Sequence, residues 1–380
     1  MTAHTSADTH ACLPWLTPAA RALPPRHDPQ TAGDLAALDV TGLRLLHLNE
    51  SPYPPSPRAI EAVIAGTAEL HRYPAVRAQP LASALAARTG IMPNRIVIGS
   101  GSGELILFAC HITLSSGDQA VGPAPSFFGY THAIRLFGGT MVCARLDPAG
   151  APDPRALAAS VTDRTRLVFC CTPNPPSGGM MNAAAIEELA ASIPESVLLI
   201  VDEAYYEFAR FEGGPDVLSI LSRRRGRWIV LRTFSKAYGL AGLRVGYALC
   251  GSDEVAEALR RAMVPFNVTN VGLSAALAAL KDDAHLEHTL GLVVQERQRL
   301  SEGLRRIGLA PMPSAANFVS AAFPIPAEAA MEEFRRRSIL VRSWADSEHP
   351  QEIRITVGTP DDTDAVISAT NEMLSSLRGR

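Results

Sequence analysis

Short apolar runs separated by helix-patterned stretches recur along this chain, and they set the expected fold. Strand-like runs are read at Leu43–Leu48, Arg95–Ile98, Gln119–Val121, Met141–Ala144, Leu167–Cys171, Val197–Val201, Trp228–Leu231 and Val245–Leu249. Most alternate with segments of helical pattern, such as Leu81–Thr89 and Glu104–Ile112. Apolar strands alternating with helices predict an α/β fold with a large, mostly parallel sheet covered on both faces. From about Asp253 the pattern turns mostly helical, over Asp253–Met263, Val271–Leu280 and His285–Ile307. Three short strands then alternate with helices, at Phe318–Ala322, Ile339–Val341 and Ile353–Val357. A smaller α+β domain is expected there. The division read from this is a proline-rich arm over 1–42, a large domain over 43–265 and a small domain over 266–380. The arm is expected to contribute to the small domain or to dimer contacts.

Composition narrows the function classes. With 380 residues, 47% hydrophobic and 19% charged, the chain reads as an ordinary soluble globular protein. A net charge of −3 argues against nucleic acid or anionic membrane as partner. No apolar run approaches the ~20 residues of a membrane helix. Met1–Thr17 has neither Lys nor Arg, so no secretory signal is expected. Cysteines at 12, 110, 143, 170, 171 and 250 form no CxxC and are read as reduced core residues of a cytoplasmic protein. The histidines show no ligand spacing, and no metal is expected.

In parallel sheets ligands collect at the carboxyl ends of strands, and the candidate chemistry sits there. The loop Gly99-Ser100-Gly101-Ser102-Gly103 opens a helix, so its free N–H groups suit a phosphate. Its spacing is neither G-x-G-x-x-G nor a P-loop, and a tight turn would look the same. Phe127, Phe128 and Tyr130 follow the next strand, at least one of them expected in the core. Asn174, Asp202, Tyr205 and Lys236 also follow strands. Asp202 closes an apolar run, where a carboxylate needs a cation or hydrogen bonds. Lys236 is one of only two lysines; the other, Lys281, lies in a polar run. Partial burial of Lys236 would depress its pKa and free the amine for Schiff-base chemistry. Thr233, Ser235 and Arg244 nearby offer two hydroxyls and a guanidinium fork for a phosphate.

Asp202-Glu203-Ala204-Tyr205, Ser235-Lys236-Ala237 and Gly242-Leu243-Arg244-x-Gly246-Tyr247, in that order, resemble the fold-type-I pyridoxal-phosphate aminotransferases, and within them the histidinol-phosphate aminotransferase family. Leu48-Asn49-Glu50-x-Pro52, Arg72-Tyr73-Pro74, Asn174-x-Pro176-Ser177-Gly178, Asn317-Phe318, Leu340-Val341-Arg342 and Ile353-Arg354-Ile355-Thr356 extend the resemblance to the C-terminus. It implies an amino transfer between an amino acid or amino-alcohol phosphate and a 2-oxo acid such as 2-oxoglutarate, in two half-reactions, with pyridoxal 5'-phosphate as cofactor. Lys236 would hold the cofactor and shuttle a proton, Asp202 would pair with the ring nitrogen and Tyr205 would donate to the ring hydroxyl. Ser102, Gly103, Thr233, Ser235 and Arg244 would hold the phosphate, with Tyr73 reaching it from the other subunit of a homodimer. Phe127 would stack on the ring, and Asn174 would also contact the cofactor. Arg354, Arg342 and Asn317 would bind substrate.

Three positions depart from the family pattern. Pro175 stands where an asparagine normally contacts the ring hydroxyl, with Asn174 one place earlier. The loop reads Ser102-Gly103-Glu104 where an aspartate commonly sits in the middle. The arm has Pro14-Trp15 and Pro18-Ala19 where the family has Pro-Tyr. The alternatives are a lyase or decarboxylase of the same fold (threonine-phosphate decarboxylase-like), a specialised-metabolism aminotransferase paralogue and a non-catalytic ligand sensor. A Rossmann oxidoreductase is disfavoured, because no G-x-G-x-x-G follows the first strand.

Overall fold

The computed structural model describes residues 15–21, 23, 42–74, 78–344 and 348–378; most of the expected arm, Pro14 included, lies outside them. Strand β1 (Arg44–Leu45) is followed by seven strands of one sheet. These are β2 (Ile96–Gly99), β3 (Gln119–Pro123), β4 (Thr140–Ala144), β5 (Thr165–Cys171), β6 (Leu198–Asp202), β7 (Trp228–Thr233) and β8 (Gly246–Cys250). Their order is β2-β8-β7-β6-β5-β3-β4. β3 to β7 run parallel, and β8 is antiparallel to both neighbours. β6 is buried at all five positions, which a strand sustains only when helices cover both faces of its sheet. One face packs Ile186, Leu189, Leu221 and Leu240 over Val168, Leu199 and Val230. The other packs Leu105, Ile106, Ile134 and Leu259 over Phe169, Ile200 and Ile229.

Local chemistry sets the helix starts. Ser56 accepts from Ala59 N ahead of Pro57–Gly66, which has proline in its first turn. Asn182 and Thr269 cap Ala183–Ser192 and Asn270–Leu280 in the same way. Among the described residues no helix is long and apolar enough to cross a membrane.

The remaining strands form the second body: β9 (Phe318–Ala322), β10 (Ile339–Leu340), β11 (Arg342–Ser343) and β12 (Glu352–Thr356). β11-β12-β9 is an antiparallel sheet, and β10 pairs parallel with β1. The strand expected over Ile339–Val341 ends at Leu340, and a separate strand of another sheet begins at Arg342, just beyond the expected run. β1 is also shorter than the run Leu43–Leu48, and Leu46 joins the second core with Phe323, Phe334 and Ile353. The helix Asn270–Leu280, expected in the small domain, instead packs on Pro57–Gly66 and sends Ala275, Ala276 and Ala279 into the core of the main sheet. We propose that the two bodies divide after Leu280, not at 265, with residues 43–48 assigned to the smaller one. A cluster with Tyr205 and Phe208 against Phe318 and Val357 joins the two bodies.

Candidate active site

The parallel strands β5, β6 and β7 all end on one side of the sheet. A cavity of ≈ 360 Å³ opens there against the second body, reached by residues from both. Asp202, the last residue of β6, lies 3% exposed in its floor. Its Oδ2 accepts from Tyr130 Oη at 2.7 Å and its Oδ1 from Ala204 N at 3.0 Å. Burial pushes this carboxyl up to about 6, while those two hydrogen bonds pull it back down. It remains largely ionised at neutral pH. Tyr130 is the core aromatic of its cluster, fully buried and stacked on Phe169 at 4.3 Å, and its hydroxyl end still serves Asp202. Phe127, half-buried, lines the cavity in edge contact with Tyr130.

Lys236 follows β7, and its Nζ donates to the carbonyls of Leu48 and Asn49, both at 3.0 Å. Burial first, then the positive charges of Arg354 and Arg244, push its pKa down to about 7, against the opposing pull of Glu50 and Asp202. The amine is thus available as a nucleophile near neutrality. Lys281 is exposed.

One end of the cavity is an anion cradle. Ser102 and Gly103 are the first two residues of the helix Ser102–Thr113, where backbone N–H groups have no helical partner. Thr233 Oγ1 lies 3.0 Å from Ser235 Oγ, and Arg244 Nη1 donates to Ser235 Oγ at 3.2 Å. Gly101 has φ +79°, and a Cβ there would collide with Arg244 Nη2; glycine lets the loop and the guanidinium approach. Glu104 Oε2 ties the loop by accepting from Ser100 N at 2.7 Å and from Asn267 Nδ2 at 2.5 Å.

The opposite wall comes from the second body. Arg342 on β11 and Arg354 on β12 are directly paired across antiparallel strands, and both line the cavity. Arg354 donates to His47 O at 2.6 Å. Burial and the neighbouring Arg342 push its pKa down to about 10. Arg342 stands 5.3 Å from the Phe128 ring. Phe128 and Trp344 complete this wall.

Eleven of the fourteen expected site residues line the cavity: Ser102, Gly103, Phe127, Asp202, Tyr205, Thr233, Ser235, Lys236, Arg244, Arg342 and Arg354. Three do not. Asn174 spends its amide elsewhere, donating to Pro125 O and Ser177 Oγ and accepting from Ser126 Oγ; Pro175 and Pro176 face the cavity in its place. Asn317 donates to the carbonyls of Asn49 and Glu50, so it props a backbone segment. Tyr73 is 81% exposed and stacks on Phe266, away from the cavity of its own chain. Asn49, which donates to Tyr205, Thr356, which bonds Asn49, and Tyr130, which donates to Asp202, have no site role assigned from the sequence. Their strand-end and motif positions were visible, but their partners were not.

The donor set fits pyridoxal phosphate: an anion cradle for its phosphate, an amine of lowered pKa for its aldehyde, and a buried carboxylate for a cationic ring nitrogen. Residues 43–369 match the family described as aminotransferase class I and II. Histidinol-phosphate aminotransferase 2 of Carboxydothermus hydrogenoformans is 36% identical over 85% of this chain and 89% of its own length. An aromatic amino acid aminotransferase of Streptomyces coelicolor is 36% identical over 91% of this chain and 94% of its own. The crystal structure of histidinol-phosphate aminotransferase from Sinorhizobium meliloti in complex with pyridoxal-5'-phosphate superposes with a TM-score of 0.89 at 27% identity, covering 97% of this chain and 99% of that one. A family match over most of the chain, joined to relatives above 30% identity at nearly full length, means that this chain belongs to the class I and II aminotransferases.

Proposed function

We propose that this pyridoxal-phosphate-dependent aminotransferase takes its amino group from a donor with an anionic far end, an amino acid or an amino-alcohol phosphate of the histidinol-phosphate kind, and passes it to a 2-oxo acid such as 2-oxoglutarate. The observation that carries the reading is the pair Arg342 and Arg354, side by side across two strands and facing the cavity that holds Lys236. Two guanidinium forks suit a carboxylate or phosphate. An anion between them also offsets the burial, and after it the Arg342 charge, that depress Arg354.

When bound, pyridoxal phosphate supplies a ring that withdraws electrons from the donor's α-carbon. The chain's own groups do the rest. The cradle of Ser102, Gly103, Ser235 and Arg244 binds the phosphate, and Lys236 Nζ holds the cofactor through its amine. Once released, the same amine takes up the proton of the donor's α-carbon. Asp202, kept ionised by Tyr130 and Ala204 N, holds the proton on the ring nitrogen. Tyr205 would donate toward the ring hydroxyl, and Phe127, lining the same cavity, would cover the ring. We also assign the working form as a homodimer in which Tyr73 serves the partner's cradle. Its 81% exposure, beside exposed Leu70, Val264 and Phe266, supports this.

A donor panel that includes histidinol phosphate tests the reading. Amino transfer without carbon dioxide release separates it from the decarboxylase alternative. Arg342→Ala should cost ~2–5 kcal/mol in kcat/KM for phosphorylated donors and little for unphosphorylated ones; an equal loss for both would remove the phosphate assignment. Phe128, 67% exposed, and Trp344 on the same wall favour a second reading, an aromatic amino acid donor, which the same panel distinguishes.

A further inference from the structure

The hydroxyl of Tyr205 is held from one side only. Asn49 Nδ2 donates to Tyr205 Oη at 2.8 Å. The orientation of that amide follows from its other end. Thr356 Oγ1 accepts the backbone N–H of Asn49 at 3.0 Å and gives its own proton to Asn49 Oδ1 at 3.1 Å. The reversed amide would leave the Thr356 hydroxyl proton without its acceptor and set an oxygen against Tyr205, where Tyr205 would spend its proton. In the arrangement present, Tyr205 receives a hydrogen bond and keeps its proton, and among the described residues nothing accepts it. The ring is buried and lines the cavity, so the proton is left for whatever occupies that space.

Asn49 is itself tightly fixed. Its carbonyl accepts from Lys236 Nζ and Asn317 Nδ2, both at 3.0 Å. Its φ of +54° is left-handed, a conformation asparagine tolerates better than most residues. On the other side of the cavity, Pro175 has no side-chain donor and the Asn174 amide is spent on its own loop.

We propose that Asn49 is a positioning residue for the cofactor: it holds the Tyr205 hydroxyl by a lone pair and so presents the Tyr205 proton to the ring oxygen of bound pyridoxal phosphate. This rests on the reading of the site given above. A hydroxyl that receives a hydrogen bond donates a stronger one, because bonds in series polarise each other. In this chain the arrangement carries more weight than it would with asparagine at 175, since Tyr205 is left as the side-chain donor to that oxygen. The charged and titratable groups facing Tyr205 are Arg354, Cys171 and Asp202.

The test is a pH titration of the bound cofactor's visible absorbance in the holoenzyme, for wild type, Asn49→Gly, Tyr205→Phe and the double variant. A donor at the ring oxygen favours its anionic form and lowers the midpoint. Glycine accepts a positive φ without strain, so Asn49→Gly removes the amide alone. The midpoint should rise by about 0.5–1 pH unit in Asn49→Gly, rise at least as far in Tyr205→Phe, and rise no further when both are combined. An unmoved midpoint in Asn49→Gly, or a shift of equal size in the Tyr205→Phe background, would overturn the proposal. Should Asn49→Gly fail to fold, Asn49→Asp keeps the shape and offers Tyr205 an acceptor that captures its proton. Its midpoint should then rise further with Tyr205 present than with phenylalanine there, and an equal rise in both would overturn the proposal. A wild type that takes up no pyridoxal phosphate would overturn the functional reading together with this inference. Uptake with an unmoved Asn49→Gly midpoint would overturn the inference alone.

Discussion

Lys236 and Pro175 are the two residues whose behaviour follows most directly from their surroundings. With its pKa pushed down to about 7, Lys236 loses its proton well below the pH at which an exposed lysine does. Capture of pyridoxal phosphate by cofactor-free protein should therefore rise with pH through a midpoint near 7; a midpoint near 10 would show an unperturbed amine. Lys236→Ala should lower the proton-transfer rate by ~10²–10⁴-fold or more, and borohydride should fix the cofactor on Lys236 and not on Lys281. At Pro175 no donor to the ring oxygen exists. Asn174→Ala should leave the midpoint of the cofactor's absorbance titration nearly unchanged, because its amide serves Pro125, Ser126 and Ser177. The loss should instead appear as ~1–3 kcal/mol of stability from orphaned buried partners. Pro175→Asn should lower the midpoint by restoring a donor. A large upward shift in Asn174→Ala would place that amide on the cofactor after all.

At the scale of elements, the loop between β2 and the helix Ser102–Thr113 shows how backbone conformation makes a binding site. Gly101 occupies φ +79° directly under Arg244, whose own φ of +54° is strained for a non-glycine residue. Gly101→Ala would strain the turn and push the guanidinium away from Ser235, leaving the sheet core untouched. The expected result is ~10–100-fold weaker cofactor binding, the scale of one lost charge-assisted hydrogen bond. The check is cofactor affinity set beside thermal unfolding of the cofactor-free form. A fall in thermal stability without a change in affinity would mean that the loop is structural only.

At the scale of the molecule, the site belongs to both bodies, because β6 and β7 supply Asp202 and Lys236 while β11 and β12 supply the arginines. The segment 46–50 ties them together. Leu46 is buried in the smaller core, His47 O accepts from Arg354, and Asn49 reaches Tyr205 and Lys236. Tyr73, with no role in its own chain's cavity, motivates the proposal of a second subunit. Mixing Tyr73→Ala with Lys236→Ala, each inactive alone, should restore activity in heterodimers, where one hybrid site has both residues intact. Verified heterodimers without recovery would count against sharing across the interface.

Sequence alone determined the order of sheet and helix, and it placed Asp202 and Lys236 at strand ends, because hydrophobic period is a property of neighbouring residues. It also placed the anion loop, since glycine spacing before a helix is local. Which polar groups meet was decided only by tertiary structure. Tyr130 reaches Asp202 across 72 positions, Asn49 reaches Tyr205 across 156 and Thr356 across 307. The departure of Asn174 from the cavity and the change of sheet between Leu340 and Arg342 have the same origin. A hydrogen-bonding side chain has several partners within reach of its rotamers, and only the packing of distant segments selects one of them.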